Sequence, residues 1–364
     1  MEELSVLREE INRIDRQMAE LFCDRMQVAA KIGAYKAKRG LPVEDLAREQ
    51  VLLHRNTEWI PEEGLRSYYM DFQQNVMDLS KHYQSRLVSG MRVAYSGEEG
   101  AFADLAAQKI FCEIRPVSYA SFADAYHAVK NGECDACVLP VENSYAGEVG
   151  QVMDLMFHGN LCLNGLYTLE IRQHLLGLQD AKAEDIRLVK SHPQALMQCA
   201  AYIREHDLRT EQTSNTAVAA RMVAEEGDPT VGAIAGEEAA KRYGLKILKE
   251  NIHENVMNTT KFAVLSKLPD DREHGKKEEI SLMFTLQNSP GALAKAISAI
   301  GKYGYNMHVI RSRPVQDLPW QYYFYVEAVG ESDRTHRDRM IEELSAQCEI
   351  FKVLGCYEEM KGLS

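Results

Sequence analysis

The stretch Asn258-Thr259-Thr260-Lys261-Phe262 sets two hydroxyls between an amide and a cation, directly ahead of the apolar run Ala263-Val264-Leu265. A hydroxyl so placed can protonate a leaving group. It also suits a turn into a strand, or an Asn-x-Thr glycosylation acceptor. A second chemical signature lies near the N-terminus. Arg25 stands where the helical spacing between Leu21 and Val28 calls for an apolar residue. A buried Arg is costly unless an anion, or an acid on a neighbouring helix, meets it, or its head group snorkels to water. Lys36 follows eleven residues later, about three turns, and so projects from nearly the same face. Arg48 sits on a second helical stretch, while Ser80 and Gln84 are one turn apart on a third. Three cations with hydroxyl and amide donors, and no metal ligands among them, suit a small di-anion. Arg8 lies roughly 25 Å from Arg25 along a straight helix and points to another face. It reaches such a pocket only from a second copy of the helix, or else is simply solvated.

The elements that must position these groups follow three grammars. Leu4, Leu7, Ile11, Ile14, Met18, Leu21, Val28, Ile32 and Tyr35 recur at 3–4 spacing and predict one long helix, ended by Gly40-Leu41-Pro42. A second helix is predicted from about Glu44. A third follows Pro61 with Leu65, Tyr69, Phe72, Val76, Leu79 and Tyr83 inward. Three helices with so much apolar seam make a poor core alone, so packing against a partner chain is expected. From Met91, short β-rich runs alternate with helices in two series, predicting two α/β lobes with mostly parallel strands and a ligand between them. Residues 267–279, nearly all charged, read as a linker. The remainder runs βαββαβ, the ferredoxin-like order, opening on an alternating strand at Ile280, Leu282, Phe284 and Leu286.

Composition narrows the classes. The chain has 364 residues, 45% hydrophobic and 26% charged, with a formal net charge of -12. That fits a globular protein of two or three domains and argues against nucleic acid as a partner. The N-terminal MEELSVLREE has no apolar h-region, and no run approaches a membrane span, so a cytoplasmic protein without a membrane partner is expected. The glycosylation reading of Asn258 falls with the secretory one. Eight scattered cysteines fit free thiols, and the lone Cys134-Asp-Ala-Cys137 carries little weight as a zinc or redox motif.

LREEINRIDRQMAELFCDRMQVAAKIGAYK, VEDLAREQ and VMDLSKHYQ resemble the all-helical chorismate mutases. That resemblance implies an intertwined dimer in which Arg25, Arg48 and the partner's copy of Arg8 hold two carboxylates. Lys36 and Gln84 would face the ether oxygen, Asp45 and Glu49 the ring hydroxyl, and Ser80 would complete the pocket. YSGEEGAFA, LPVENSYAGEV, KSHPQALMQCA and QTSNTAVAA stand at strand-to-helix turns, where free N–H groups suit an anion, although capping by Ser96, Ser191 and Ser214 explains any one of them. With NTTKF, the set resembles prephenate dehydratases of two-lobed, periplasmic-binding-protein-like fold. Thr260 then becomes the catalytic hydroxyl, with Asn143, Ser144, Ser191, Gln198, Lys261 and Phe262 binding substrate. Lys261 replaces the usual Arg, turning a bidentate clamp into a point charge and predicting weaker prephenate binding.

NSPGALAKAISAIGKYGYNMHVIRSRP resembles the ACT regulatory domains. This implies phenylalanine binding by Asn288, Gly291, Ala292, Leu293, Ser312 and Arg313, with Arg311 where a Glu is usual. The whole order resembles the bifunctional P-proteins: a helical chorismate mutase domain (1–88), a prephenate dehydratase domain (91–266) and an ACT domain (279–358). The implied substrates are chorismate and prephenate and the effector is phenylalanine. The assembly is a homodimer or larger, with no metal or other cofactor. The alternatives are an arogenate-preferring dehydratase and a non-catalytic amino-acid sensor.

Overall fold

The computed structural model describes residues 2–254, 258–270, 277–315, 321–331 and 333–363. It divides into two compact units, Met1–Arg92 with Glu113–Arg115, and Val93–Cys112 with Pro116–Ser364. The first holds three helices, α1 (Glu2–Lys38), α2 (Leu46–Thr57) and α3 (Glu63–Ser89). Asp45 caps α2, its carboxylate accepting from Arg48 N at 3.1 Å. The inner face of α3 is Val76, Met77, Ser80 and Gln84, all buried. The seam of α1 stays open: Leu4, Leu7, Ile11, Ile14, Met18, Leu21, Val28 and Ile32 are all exposed, Leu21 by 69%.

The second unit begins with β1 (Met91–Ser96), α4 (Phe102–Ile110), β2 (Ile114–Tyr119), α5 (Phe122–Asn131), β3 (Ala136–Asn143), β4 (Gly147–Glu148), α6 (Gly150–His158) and β5 (Cys162–Glu170). A second lobe follows with β6 (His174–Gly177), β7 (Leu188–Ser191), α7 (Pro193–Gln198), α8 (Ala200–Glu205), β8 (Arg209–Gln212), α9 (Thr216–Glu226), β9 (Val231–Ala235), α10 (Glu237–Tyr243) and β10 (Lys246–Lys249). Then β11 (Thr259–Ser266) returns to the first lobe and lies between β3 and β5, antiparallel to both. The sequence pattern predicts mostly parallel sheets. The pairing is mixed instead, because the chain leaves the first lobe and comes back from its opposite end. Phe262, Ala263, Val264 and Leu265 are buried there.

Outlying ion pairs bridge the lobes. Arg221 on α9 grips Glu98 through two bonds of 2.9 and 3.0 Å, and Arg242 on α10 pairs with Glu99. Tyr243 Oη donates to Glu99 O at 3.0 Å. None of Ser96, Ser191 and Ser214 caps a helix. His192 caps α7 and Asn215 caps α9.

The chain ends with β12 (Lys277–Thr285), α11 (Ala292–Lys302), β13 (Asn306–Pro314), β14 (Tyr322–Glu331), α12 (Arg334–Ser345), β15 (Phe351–Tyr357) and β16 (Lys361–Leu363). The sheet order β13-β14-β12-β15 completes the expected βαββαβ unit. The predicted linker 267–279 is shorter than expected: 271–276 lie outside the described residues, and Lys277–Glu279 already belong to β12.

That strand is buried on both faces rather than alternating. Ile280, Leu282 and Phe284 share a core with Ala296, Met340 and Leu344 of α11 and α12. Met283 points the other way, into a core shared with Leu139, Val141, Ala263 and Leu265 of the first lobe, along with Tyr323, Tyr325, Leu354 and Tyr357. Glu279 and Ser281 are buried at 1% and 0% exposure. The C-terminal sheet is thus clad by helices on one side and by the first lobe's sheet on the other.

Gly355 marks how closely β15 approaches β5, since a Cβ there would lie 1.8 Å from Leu163 O. Gly355→Ala is expected to cost about 1–3 kcal/mol by overpacking. The measurement is thermal unfolding, and an unchanged Tm would contradict this packing.

Candidate functional sites

In the helical unit, α1 and α3 bring Arg25, Ser80 and Gln84 together. Arg25 Nη1 donates to Ser80 Oγ and, at 3.3 Å, to Val76 O, while Ser80 Oγ donates to Val76 O at 2.7 Å. Burial pulls the Arg25 guanidinium below its ordinary pKa. Among the described residues no acid pairs with it, so the ion-pair alternative is not what this arrangement shows. Gln84 is 7% exposed, and its Oε1 has no hydrogen-bond partner among the described residues. A Cβ on Gly33 would lie 3.1 Å from Gln84 Cγ, so the glycine in α1 makes room for this amide.

Lys36 Nζ reaches Val43 O at 2.7 Å. Glu49 is bound by Lys81 Nζ at 2.9 Å, a partner the sequence pattern does not suggest. Asp45 serves α2 as its cap, which competes with the ring-hydroxyl role expected of it. Arg8 and Arg48 are exposed.

In the second unit the first-lobe strands and the second lobe meet around one amide. Asn143, the last residue of β3, is opposite Thr260 in the β3–β11 ladder. Its Nδ2 lies 3.0 Å from Thr260 Oγ1, 3.0 Å from Asn258 Oδ1 and 3.1 Å from Thr259 O. Its Oδ1 accepts from Tyr145 N and Ala146 N, both at 3.0 Å, and from Gln194 Nε2 at 3.1 Å. Asn258 Nδ2 in turn donates to Gln198 Oε1 at 3.1 Å. Asn258 is 1% exposed and Gln198 6%. Ser144 Oγ receives Thr259 N at 3.0 Å. A cavity beside this network is lined by Tyr145, Met197, Gln198, His253, Glu254 and Asn258. Burial lowers the pKa of His192, favouring the neutral ring that accepts from Gln194 N at 3.2 Å.

Three expected binding residues stand elsewhere. Ser191 is fully buried and donates to Ile234 O at 2.6 Å, bracing β7 against β9. Phe262 is 2% exposed and lies in the lobe interior. Lys261 points away from Thr260, because neighbours on a strand face opposite sides. Its Nζ pairs with Glu327 of β14 at 2.8 Å and approaches Glu142 at 3.6 Å. Lys261, expected as a carboxylate clamp on substrate, is thus placed in contact with the C-terminal sheet.

Of the residues expected to hold phenylalanine, Arg313 pairs with Glu148 and Asp154 of the first lobe. Asn288, Gly291 and Ser312 are exposed, and Ala292 and Leu293 half-buried. Gly291 takes φ of 81° at the start of α11, a conformation that favours glycine. Gln194, and a network role for Asn258 beyond a flanking amide or glycosylation acceptor, are not among the expectations from sequence. Both lie inside the quoted motifs, and amides beside a candidate hydroxyl were the available signal.

The model for prephenate dehydratase matches residues 93–270, and that for type II chorismate mutase matches 7–85. The bifunctional chorismate mutase/prephenate dehydratase of Aquifex aeolicus (strain VF5) is 31% identical over 98% of each chain. This chain belongs to that bifunctional family. The Escherichia coli (strain K12) enzyme of the same name is 28% identical over 97% of this chain and 96% of its own. Among solved structures, prephenate dehydratase from Arthrobacter aurescens in complex with L-Phe has TM-score 0.68 and 24% identity, covering 74% of this chain and 90% of that one. GqqA, described as a novel type of quorum quenching acylase, has TM-score 0.67 and 30% identity, covering 73% and 97%. This member of the family therefore has both a chorismate mutase and a prephenate dehydratase segment, as the motif order implies.

Asn258 connects the two lobes' amides, so Asn258→Ala leaves Asn143 and Gln198 each short of a partner, at about 1–3 kcal/mol. The expected result is a lower Tm and a dehydratase kcat/KM reduced by roughly tenfold or more, since about 1.4 kcal/mol is tenfold in rate. Steady-state kinetics on the folded variant checks this, with mutase activity as the internal control.

Proposed function

We propose that the two activities reside in the two sites described, with Arg25, Gln84 and Lys36 acting on chorismate and Thr260 with Asn143 acting on prephenate. The mutase reaction is a pericyclic rearrangement and needs no nucleophile. Its site must hold a folded di-anion and stabilise charge that develops on the breaking ether bond. An unpaired, partly buried guanidinium suits the first task. Lys36 Nζ and the Gln84 amide nitrogen, both of which donate, suit the second. The open seam of α1 supports a second copy as its cover, and that copy would bring Arg8 to the pocket.

In the dehydratase step the hydroxyl leaves with a proton as water, the ring carboxylate leaves as carbon dioxide, and the released electron pair completes the aromatic ring of phenylpyruvate. One proton must be supplied to the departing oxygen. Thr260 is a weak acid, so it acts as a relay whose Oγ1 is oriented by Asn143, with solvent replacing the proton. The single observation that carries this reading is the Asn143–Thr260 pair at 3.0 Å, held by amides from both lobes. An acylase reading would require a base on Thr260. Among the described residues the hydrogen bond to Thr260 Oγ1 comes from an amide, not from an imidazole or a carboxylate.

The βαββαβ unit is read as an ACT domain that binds phenylalanine between α11's first turn and β13, giving feedback inhibition. Domains at 1–88, 91–266 and 279–358, a dimer and a cytoplasmic setting complete the proposal. No helix among the described residues is long and apolar enough to cross a membrane.

Thr260→Ala should reduce dehydratase kcat by about 10²-fold or more and spare the mutase. Arg25→Ala should do the reverse. Assays for chorismate loss and phenylpyruvate formation, with and without phenylalanine, decide the matter. A folded variant that loses both activities would refute separate sites. Arg8→Ala and Arg25→Ala chains, each inactive as a mutase, should regain activity when co-expressed, because a mixed dimer contains one complete site. Absence of complementation in mixed dimers would place Arg8 outside the pocket.

A further inference from the structure

The β3–β11 ladder has two faces, and only one meets the cleft. Asn143 lies opposite Thr260, and the next rung sets Glu142 opposite Lys261. These flanking side chains reach the C-terminal sheet. Glu142 pairs with Arg311 of β13, and Lys261 with Glu327 of β14. Glu327 is 1% exposed, and receives Tyr325 Oη at 2.9 Å beside Lys261. His308 Nε2 on β13 lies 3.2 Å from both Glu327 and Glu279. Two carboxylates and an imidazole at that spacing also resemble a cation's donor set. Lys261 Nζ already supplies positive charge at Glu327, so the cluster reads as an ion-pair ring.

We infer that Glu327 and Arg311 are positioning residues for dehydration. Through Lys261 and Glu142 they fix, from behind, the ladder rung that carries Thr260 and Asn143. A buried, multiply bonded carboxylate gives this hold more stiffness than a surface pair would. The two contacts enter through different strands of each sheet, so a shift of the C-terminal unit is passed to both members of the Asn143–Thr260 pair. The inference rests on Thr260 being the dehydratase hydroxyl.

The ring also has a proton-sensitive member. The hydrogen bond to Glu327, helped by the charge of Glu279, raises the pKa of His308 above its ordinary value despite partial burial and Lys261. Burial pushes Glu327 up, but bonds from His308 and Lys261 outweigh it and hold its pKa below the usual value. Burial, then the charge of Glu327, raises Glu279. The contribution of His308 is full below the ordinary imidazole pKa and is lost as pH rises through its raised one. That of Glu327 is full above the ordinary carboxylate pKa and is lost as pH falls through its lowered one.

The test uses the full chain and reads dehydratase kcat and KM, with mutase activity as the control. Glu327→Gln and Arg311→Gln should each lower dehydratase kcat at least fivefold with KM and mutase activity within twofold. Glu327→Asp should recover most of the loss, and His308→Gln should remove any decline of kcat that follows the raised titration of His308 as pH rises. If Glu327→Gln does not fold, Arg311→Gln, whose side chain is more exposed, decides alone. Unchanged kcat in the folded variants overturns the inference, as does a mutase activity that falls in step. A Thr260→Ala chain that keeps its dehydratase activity overturns the underlying site assignment instead, so the two failures are told apart.

Discussion

The dehydratase half depends on one constraint, the phase of the β3–β11 ladder. Side chains alternate along a strand, and Cys137, Leu139 and Val141 all face the core shared with the C-terminal sheet. Continued without interruption, that alternation would send Asn143 into the same core. A bulge prevents it. Between Phe262, paired with Pro140, and Lys261, paired with Glu142, the register skips Val141, so two residues of β3 oppose one of β11. Glu142 then shares the inner face with Val141, and Asn143 turns to the cleft beside Thr260. Chemistry on one side and charge pairing on the other are consequences of the same extra residue.

The helical unit shows a different economy. Its candidate site face is narrow, comprising Arg25 and Gly33, about two turns apart on α1, and Ser80 and Gln84, about one turn apart on α3. The rest of α1 is an apolar seam with nothing among the described residues laid over its length. A helix of 37 residues that keeps such a seam is organised for another chain as much as for its own.

Much of this was legible in sequence, for identifiable reasons. The i,i+4 spacing of Ser80 and Gln84 fixed the register of α3, and both prove buried on its inner face. The helices, the two lobes and the βαββαβ order were likewise visible as local periodicity. A motif taken as a unit sets Lys261 beside Thr260 on the ligand, whereas its place on the strand turns it to Glu327. Adjacent residues of a strand cannot both face one ligand, and the run Phe262–Leu265 already marked the segment as a strand. Arg311 looked anomalous as a lone charge reversal, yet Glu142 answers it from 169 residues away. The antiparallel return of β11 and the double burial of β12 depend on non-local cover, which no window of sequence contains. The buried acids Glu278 and Glu279 read as linker for the same reason. Their partners, Arg337 and Tyr305 for one and Met360 N for the other, come from distant elements.

The outlying pairs between the lobes have a consequence for turnover. Arg221, Glu98, Arg242 and Glu99 each keep between a third and somewhat over half of their side-chain surface in water. Exposed pairs of this kind are screened and hold weakly. The cleft's inner seal is made by buried amides, while its outer fastening is soluble in salt. Such a cleft can shut around a substrate without being locked, and the same weakness lets a water molecule, a gas and an aromatic acid depart.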